Sequence, residues 1–340
     1  MSVPTGVKRA YTAGGLRPPA APVTGMYGGW VEGGISSINS FESTHGVTIG
    51  LGHEFGDNSR WDWFENGTGF DQWAQWVNAK PGRRFSYSSP LCTVNGDSDY
   101  TSPDGKTSAQ KLATGASGAY DFHFTNLGQA FQQRPALRNS IVRLGWEMNG
   151  ESWPWSIPPN NSAAIANFKE AFRRAAAALK AACPTLKIEW CPNCQLDATG
   201  ASFDALYPTA ANHLIDVIGI GLYDYYWPGG TPSNTTRWNW LQNGETGVNG
   251  LAHQVLLARR YRKALGHTEW ALWDASTSSP GGAGDNPWFI IRLNRWHRLH
   301  GYAYSIYNNS DSVGIHELGQ YPNGLAAYVR AVKSDGMPAY

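Results

Sequence analysis

The chain has 340 residues, with 27 Lys and Arg against 26 Asp and Glu, a formal net charge of +1 and only 16% charged residues. That balance excludes a protein held to nucleic acid by a basic face, which must displace counterions from phosphate; no apolar run approaches the roughly 20 residues of a membrane-spanning helix. With 39 Gly and 16 Trp, the chain is too rich in core-forming side chains for disorder, and it suits a neutral polar ligand with apolar faces, sugars above all.

Residues 1–24 read as an irregular N-terminal arm, without the apolar central run of a secretory signal. From residue 25 onward, short apolar runs alternate with helical patterns. The strand-like runs are 25–30, 47–55, 83–89, 140–148, 186–192, 217–226, 268–276 and 301–309. Each is rich in Val, Ile, Tyr, Trp or Phe and mostly apolar on both faces, as buried parallel strands are.

Between them, the segment ending at Gly46 looks helical. Residues 162–183 place Ile165, Phe168, Phe172, Ala176 and Leu179 on one helical stripe, with Ser162 as N-cap and Pro184 as a stop. Residues 250–266 and 286–301 each end in a basic last turn and a glycine, both favourable at a helix C-terminus. Residues 323–336 form the closing helix, and the long stretch after the third strand is expected to pass over the barrel mouth. Eight strands, most followed by a helix and with no linker between them, predict one domain, a single (β/α)₈ TIM barrel over 25–340.

The four cysteines, Cys92, Cys183, Cys191 and Cys194, are too few for a disulfide scaffold. They read as small buried residues or one incidental disulfide. Cys191-Pro-Asn-Cys194 lacks a second Cys or His pair to complete a zinc site. The 9 His show no ligand spacing and no glycine-rich phosphate loop opens a helix, so neither a metal nor a cofactor is expected.

Active sites of such barrels form at the C-terminal ends of the strands. There the second strand delivers His53 and Glu54, the fourth Glu147 with Asn149 and Glu151 beyond it, and the sixth Tyr223 and Asp224. The seventh delivers Asp274, and the eighth Tyr307, Asn308 and Asn309. Trp30, Trp61, Trp63, Trp146, Trp153, Trp155, Trp227 and Trp273 crowd the same ends, whereas Trp73, Trp76, Trp288 and Trp296 lie on helical patterns and are expected in the core. Cleaving a glycosidic bond needs two carboxyl groups, one to protonate the leaving oxygen and one to attack or to activate water. Indole faces pack on sugar C–H faces while polar edge groups bind hydroxyls.

The segment Arg143-Leu-Gly-Trp-Glu147-Met-Asn-Gly150, with Trp153-Pro-Trp155 behind it, resembles the R-P-x-H-E-x-N-G…W pattern on the fourth strand of glycoside hydrolase family 26, the mannanases and related retaining β-glycanases. A G-x-Y opening strand, F-E-x-x-x-G at 41–46 and a sixth strand ending at Tyr223 extend the likeness over about residues 25–330. The resemblance implies Glu147 as acid/base, Tyr223 bonded to the nucleophile, and a seventh-strand nucleophile whose matching position is Asp274. The chain departs from the family at Trp146, where the pattern has His, at Gly221, where an acidic residue is expected, and at Asp274, where the family has Glu.

The expected function is therefore hydrolysis of a polysaccharide or oligosaccharide by Glu147 and Asp274, with Trp30, Glu54, Trp61, Trp63, Trp146, Asn149, Trp153, Trp155, Tyr223, Asp224, Trp227 and Tyr307 binding the substrate. No nucleic-acid or membrane partner is expected. A polysaccharide substrate fits an extracellular or virion-associated protein. The competing reading is a carbohydrate-binding barrel whose catalysis has lapsed, motivated by the altered nucleophile and the lost His.

Overall fold

The computed structural model describes residues 21–95, 102–230, 232–244, 247–276, 281–310 and 316–333. Most of the N-terminal arm and part of the stretch after the third strand lie outside them. The strands are β1 (Val23–Tyr27), β2 (Leu51–Phe55), β3 (Arg84–Ser89), β4 (Ile141–Leu144), β5 (Lys187–Trp190), β6 (Ile215–Ile218), β7 (Gly221–Tyr223), β8 (Tyr225–Tyr226), β9 (Ala264–Ala271), β10 (Gly281–Gly282) and β11 (Tyr304–Asn308). The strands β1 to β6 pair in parallel in sequence order. β6 and β7 both pair with β9, β9 pairs with β11, and β11 returns to β1. Since β6 and β7 act as one stave, the ring is a closed eight-stranded parallel barrel with helices between the strands. The short β8 and β10 form an antiparallel flap beyond the barrel's C-terminal end.

The helices follow their sequence patterns closely. Helix Ser162–Ala182 buries Phe168, Phe172, Ala176 and Leu179. Its cap is Asn161, one residue before the expected Ser162, and the Asn161 side chain accepts from Ala164 N at 2.9 Å. Helix Val31–His45 stops at Gly46, which takes the left-handed conformation (φ 60°) that a glycine adopts without steric cost. Between helices and strands lies the main apolar layer, which includes Trp73 and Trp76, while Leu51, Ile141, Val217, Tyr304 and Ile306 form a smaller cluster inside the barrel.

One boundary shift matters for function. The helix expected to reach Gly266 ends at Tyr261, because Arg262 takes a left-handed conformation (φ 55°) and Lys263 N bonds back to Ala258 O at 2.9 Å. The seventh barrel strand therefore begins at Ala264 and is over by Ala271, several residues earlier than expected. All four cysteines are buried, free thiols.

Candidate active site

At the C-terminal end of β4 the chain leaves the sheet abruptly. Gly145 (φ 54°) and Glu147 (φ 52°) both adopt left-handed backbone conformations, which for Glu147 is a locally strained state of the kind held at functional sites. Glu147 N donates to Cys191 O at 2.9 Å and fixes the turn against the neighbouring β5 end. The Glu147 side chain is thereby turned back over the barrel, 8% exposed. Its Oε1 accepts from Asn193 Nδ2 at 2.7 Å and its Oε2 from Trp153 Nε1 at 3.4 Å.

The carboxylate beside it is Glu269, on β9. Arg143 Nη1, fully buried, donates to Glu269 Oε2 at 2.5 Å, and the Tyr223 hydroxyl donates to Glu269 Oε1. Asn308 Nδ2 in turn donates to the Tyr223 oxygen at 3.1 Å. Gly221, in register with Glu269, explains why no acidic residue stands in that strand: a Cβ there would lie 2.8 Å from Glu147 Oε1. The glycine makes room for the acid.

The two acids differ in their surroundings. Burial, and then the negative charge of Glu269, push the Glu147 carboxyl up to about 7, against the opposing pull of Arg143 and its two hydrogen bonds. Glu269 receives a guanidinium and a phenol hydroxyl, donors suited to an anion. One carboxyl is raised, and the other is held by two donors.

Glu269 opens onto a cavity of about 330 Å³, lined also by Tyr27, Trp30, Asp57, Trp146, Trp153, Tyr223, Asn308 and His316 among others. A second trough of about 340 Å³ runs along Gly150, Glu151, Gln195 and Asp197 to Trp227. Trp30, Trp63 and Trp227 are 51%, 47% and 49% exposed, so these indoles are open to a ligand. Glu151 sits exposed on the trough, outside the buried pair.

Several expectations require correction. Asp274 does not meet Glu147: it lies beyond the end of β9, its Oδ1 accepts from Ser276 N at 2.5 Å, and it is not among the residues lining the cavity. Its bonds to Ser276 hold its carboxyl below the usual range. Trp61 is buried (1% exposed) and stacks on His123 with ring centroids 3.9 Å apart. Trp155 is also buried; it donates to Trp146 O at 2.7 Å and lies parallel to Trp153, supporting that ring from behind.

Asn149 spends its side chain on the backbone of Asn193 and Leu196, which orients Asn193 toward Glu147. Asp224 is buried against Arg237 and Asn286, and burial raises its carboxyl to about 7. Tyr307 is buried, donating to His316 O at 2.9 Å. Glu54 is 2% exposed and accepts from backbone and indole donors. All four are buried and bonded within the protein, and none of them lines the main cavity.

Glu269 is not evident from the sequence because the apolar run 268–276 predicts a strand whose C-terminal part carries Asp274. The left-handed Arg262 was the hidden signal. Asn193 lay within the Cys191–Cys194 spacing and attracted attention only for its cysteines.

No protein-family model matches the sequence. No curated protein matches it. In structure the chain is similar to a mannanase of Bacillus subtilis, with a TM-score of 0.64 and 14% identity over 93% of this chain and 87% of that one. It is also similar to a family 26 β-mannanase of Bacteroides ovatus (TM-score 0.62, 14% identity, 93% and 89% of the two chains). A modular endo-β-1,4-mannanase of Cellulomonas fimi gives a TM-score of 0.59 at 13% identity, over 93% and 71%. At this low identity the likeness to these mannanases is one of fold, the (β/α)₈ barrel that the fourth-strand resemblance implied.

Proposed function

We propose that the protein is a retaining glycoside hydrolase acting on a polysaccharide or oligosaccharide, with Glu147 as acid/base and Glu269, in place of Asp274, as nucleophile. The observation that carries this reading is the buried Glu147–Glu269 pair, in which Glu269 lines an open, aromatic-walled cavity and is held by Arg143 and Tyr223, while Glu147, its carboxyl raised, bonds to the cavity-lining Trp153.

A glycosidic bond lying over the pair would break as Glu147 gives its proton to the leaving oxygen and a Glu269 oxygen bonds to the anomeric carbon. The leaving sugar departs as a neutral alcohol, and Glu147, now an anion, takes a proton from water. That water attacks the anomeric carbon and releases Glu269 as a carboxylate. Tyr223 and Arg143 would orient the nucleophile, while Trp30 and Trp153 offer faces to sugar rings. The mannanases of like fold make a β-1,4-linked mannan the first substrate to try. Such a substrate fits work outside the cell or on a virus particle.

The test is a screen of the wild-type protein against plant and cell-wall β-glycans, read by product chromatography. Turnover that Glu269→Gln abolishes and Asp274→Asn spares is the expected result. Glu147→Ala should slow glycosides with poor leaving groups far more than activated aryl glycosides, which need little protonic help. Binding without any turnover by the wild type would instead support the lapsed, carbohydrate-binding barrel.

A further inference from the structure

The connection from β1 into helix Val31–His45 carries a backbone feature that the proposed chemistry does not use. Val31 has φ 39°. A β-branched residue in the left-handed region is a genuine outlier, and it persists only where its surroundings hold it. What holds it is visible. Val31 N donates to Glu54 Oε2 at 2.6 Å.

The same carboxylate is held in turn from below. Trp73 Nε1 donates to Oε2 at 3.1 Å, and Phe55 N donates to Oε1 at 3.1 Å. On the other side, the Val31 methyl groups press on Gly69, where a Cβ would lie 2.8 Å from each of them. Gly34 packs so closely on Gly29 that a Cβ would meet the Gly29 oxygen at 2.0 Å. Trp30 is thus carried on a backbone pinned at both ends, yet its ring is 51% exposed and borders both the main cavity and a small one beneath it.

A position that needed only volume would be filled by Leu or Met, because burying a carboxylate at 2% exposure is costly. From this we infer that Glu54 is a positioning residue: its carboxylate holds the Val31 amide and so sets Trp30 at the rim of the cleft as a rigid sugar-stacking face. The inference rests on the function proposed above for the sugar, and on the geometry alone for the hold on the loop.

The experiment compares wild type, Glu54→Gln, Trp30→Ala and the double variant. It reads amide hydrogen exchange over residues 28–35, and kcat and KM on β-1,4-mannohexaose. Glu54→Gln should speed exchange in that segment and raise KM by about three- to tenfold, the worth of one aromatic contact, with kcat little changed. Trp30→Ala should raise KM similarly, and the double variant should be no worse than Trp30→Ala alone. Val31→Gly, whose backbone accepts the left-handed conformation unstrained, should make the loop tolerate Glu54→Gln; it also serves if Glu54→Gln alone folds poorly.

Unchanged exchange in Glu54→Gln, or KM effects that multiply in the double variant, would overturn the inference. A wild-type KM in Trp30→Ala would overturn it as well, by removing Trp30 from the binding face. Absence of turnover by the wild type on every β-glycan tried would count against the proposed function, while the exchange data would still decide whether Glu54 holds the loop.

Discussion

Glu147 and Glu189 stand at neighbouring strands of the same barrel, and both interact with the fully buried Arg143. Burial raises the carboxyl of each. The difference lies in what surrounds them. Glu189 is fully buried deeper in the barrel, where it takes the Thr268 hydroxyl and fills the space left by Gly219. Glu147 keeps 8% exposure and bonds to the cavity-lining Trp153, and the carboxyl beside it, Glu269, lines the cavity and has its own donors. A displaced carboxyl is therefore a consequence of burial that structural and functional sites share. Access and a partner held as an anion separate the two.

The largest effect that bears on this contrast should come from Glu269→Gln, which leaves Arg143 and Tyr223 without their anion. Turnover should fall on the order of 10⁴-fold or more, measured on whichever glycan the wild type cleaves. Asp274→Asn should stay close to wild type in the same assay.

At the sealed carboxylate the expected loss is in stability. Glu189→Ala opens a cavity and strands the Thr268 hydroxyl, so denaturant unfolding should show a loss of about 2–4 kcal/mol. Its kcat/KM should fall far less than that of Glu269→Gln, because Glu189 reaches the proposed pair only through the shared Arg143. A collapse of activity with normal stability would erase the distinction between the layers.

A smaller effect is expected from Tyr223→Phe. It removes the hydroxyl donated to Glu269 and the link to Asn308, and should cost about tenfold in kcat, the worth of one hydrogen bond to a charged group.

The finest test uses pH. The Glu147 carboxyl is raised from an ordinary 4.5 to about 7, so the folded protein binds that proton more tightly than the unfolded chain. Its stabilising contribution is complete below about 4.5 and is lost as pH rises through about 7. Glu147→Gln cannot ionise. Thermal unfolding should find it more stable than wild type at pH 8, on the order of 1–3 kcal/mol, with the difference shrinking as pH falls and vanishing below about pH 4. Wild-type activity should also decline as pH rises past about 7, as the acid loses its proton.

Much of the fold could be read from residue patterns alone. Helix Ser162–Ala182, the glycine stops at Gly46 and Gly301, and the alternation of buried strands with helices all follow from local rules. Half of the site was legible for the same reason, because Glu147, Asn149 and Trp153 sit in one short motif after one strand. The other half depends on contacts between distant positions. Arg143 reaches Glu269 across 126 residues, and Tyr223 reaches it across 46.

Strand ends were the weak point, since a non-glycine residue in the left-handed conformation, Arg262, moved β9 and with it the acid that faces the cavity. Tryptophan content was a poor guide to contact. Trp30, Trp63 and Trp227 are open, whereas Trp61 and Trp155 at comparable places in the chain are buried by His123 and by Trp146 and Trp153. Nothing local to an indole records which of its faces another ring will cover.

The central claim, that Glu269 is the nucleophile paired with Glu147, is tested most directly by trapping the glycosyl–enzyme. The wild-type protein is incubated with a 2-deoxy-2-fluoro-β-mannosyl fluoride, digested, and sequenced by tandem mass spectrometry. The account predicts an ester-linked sugar on Glu269, lost in Glu269→Gln and retained in Asp274→Asn. A sugar attached to Asp274 or to any other carboxylate would contradict it.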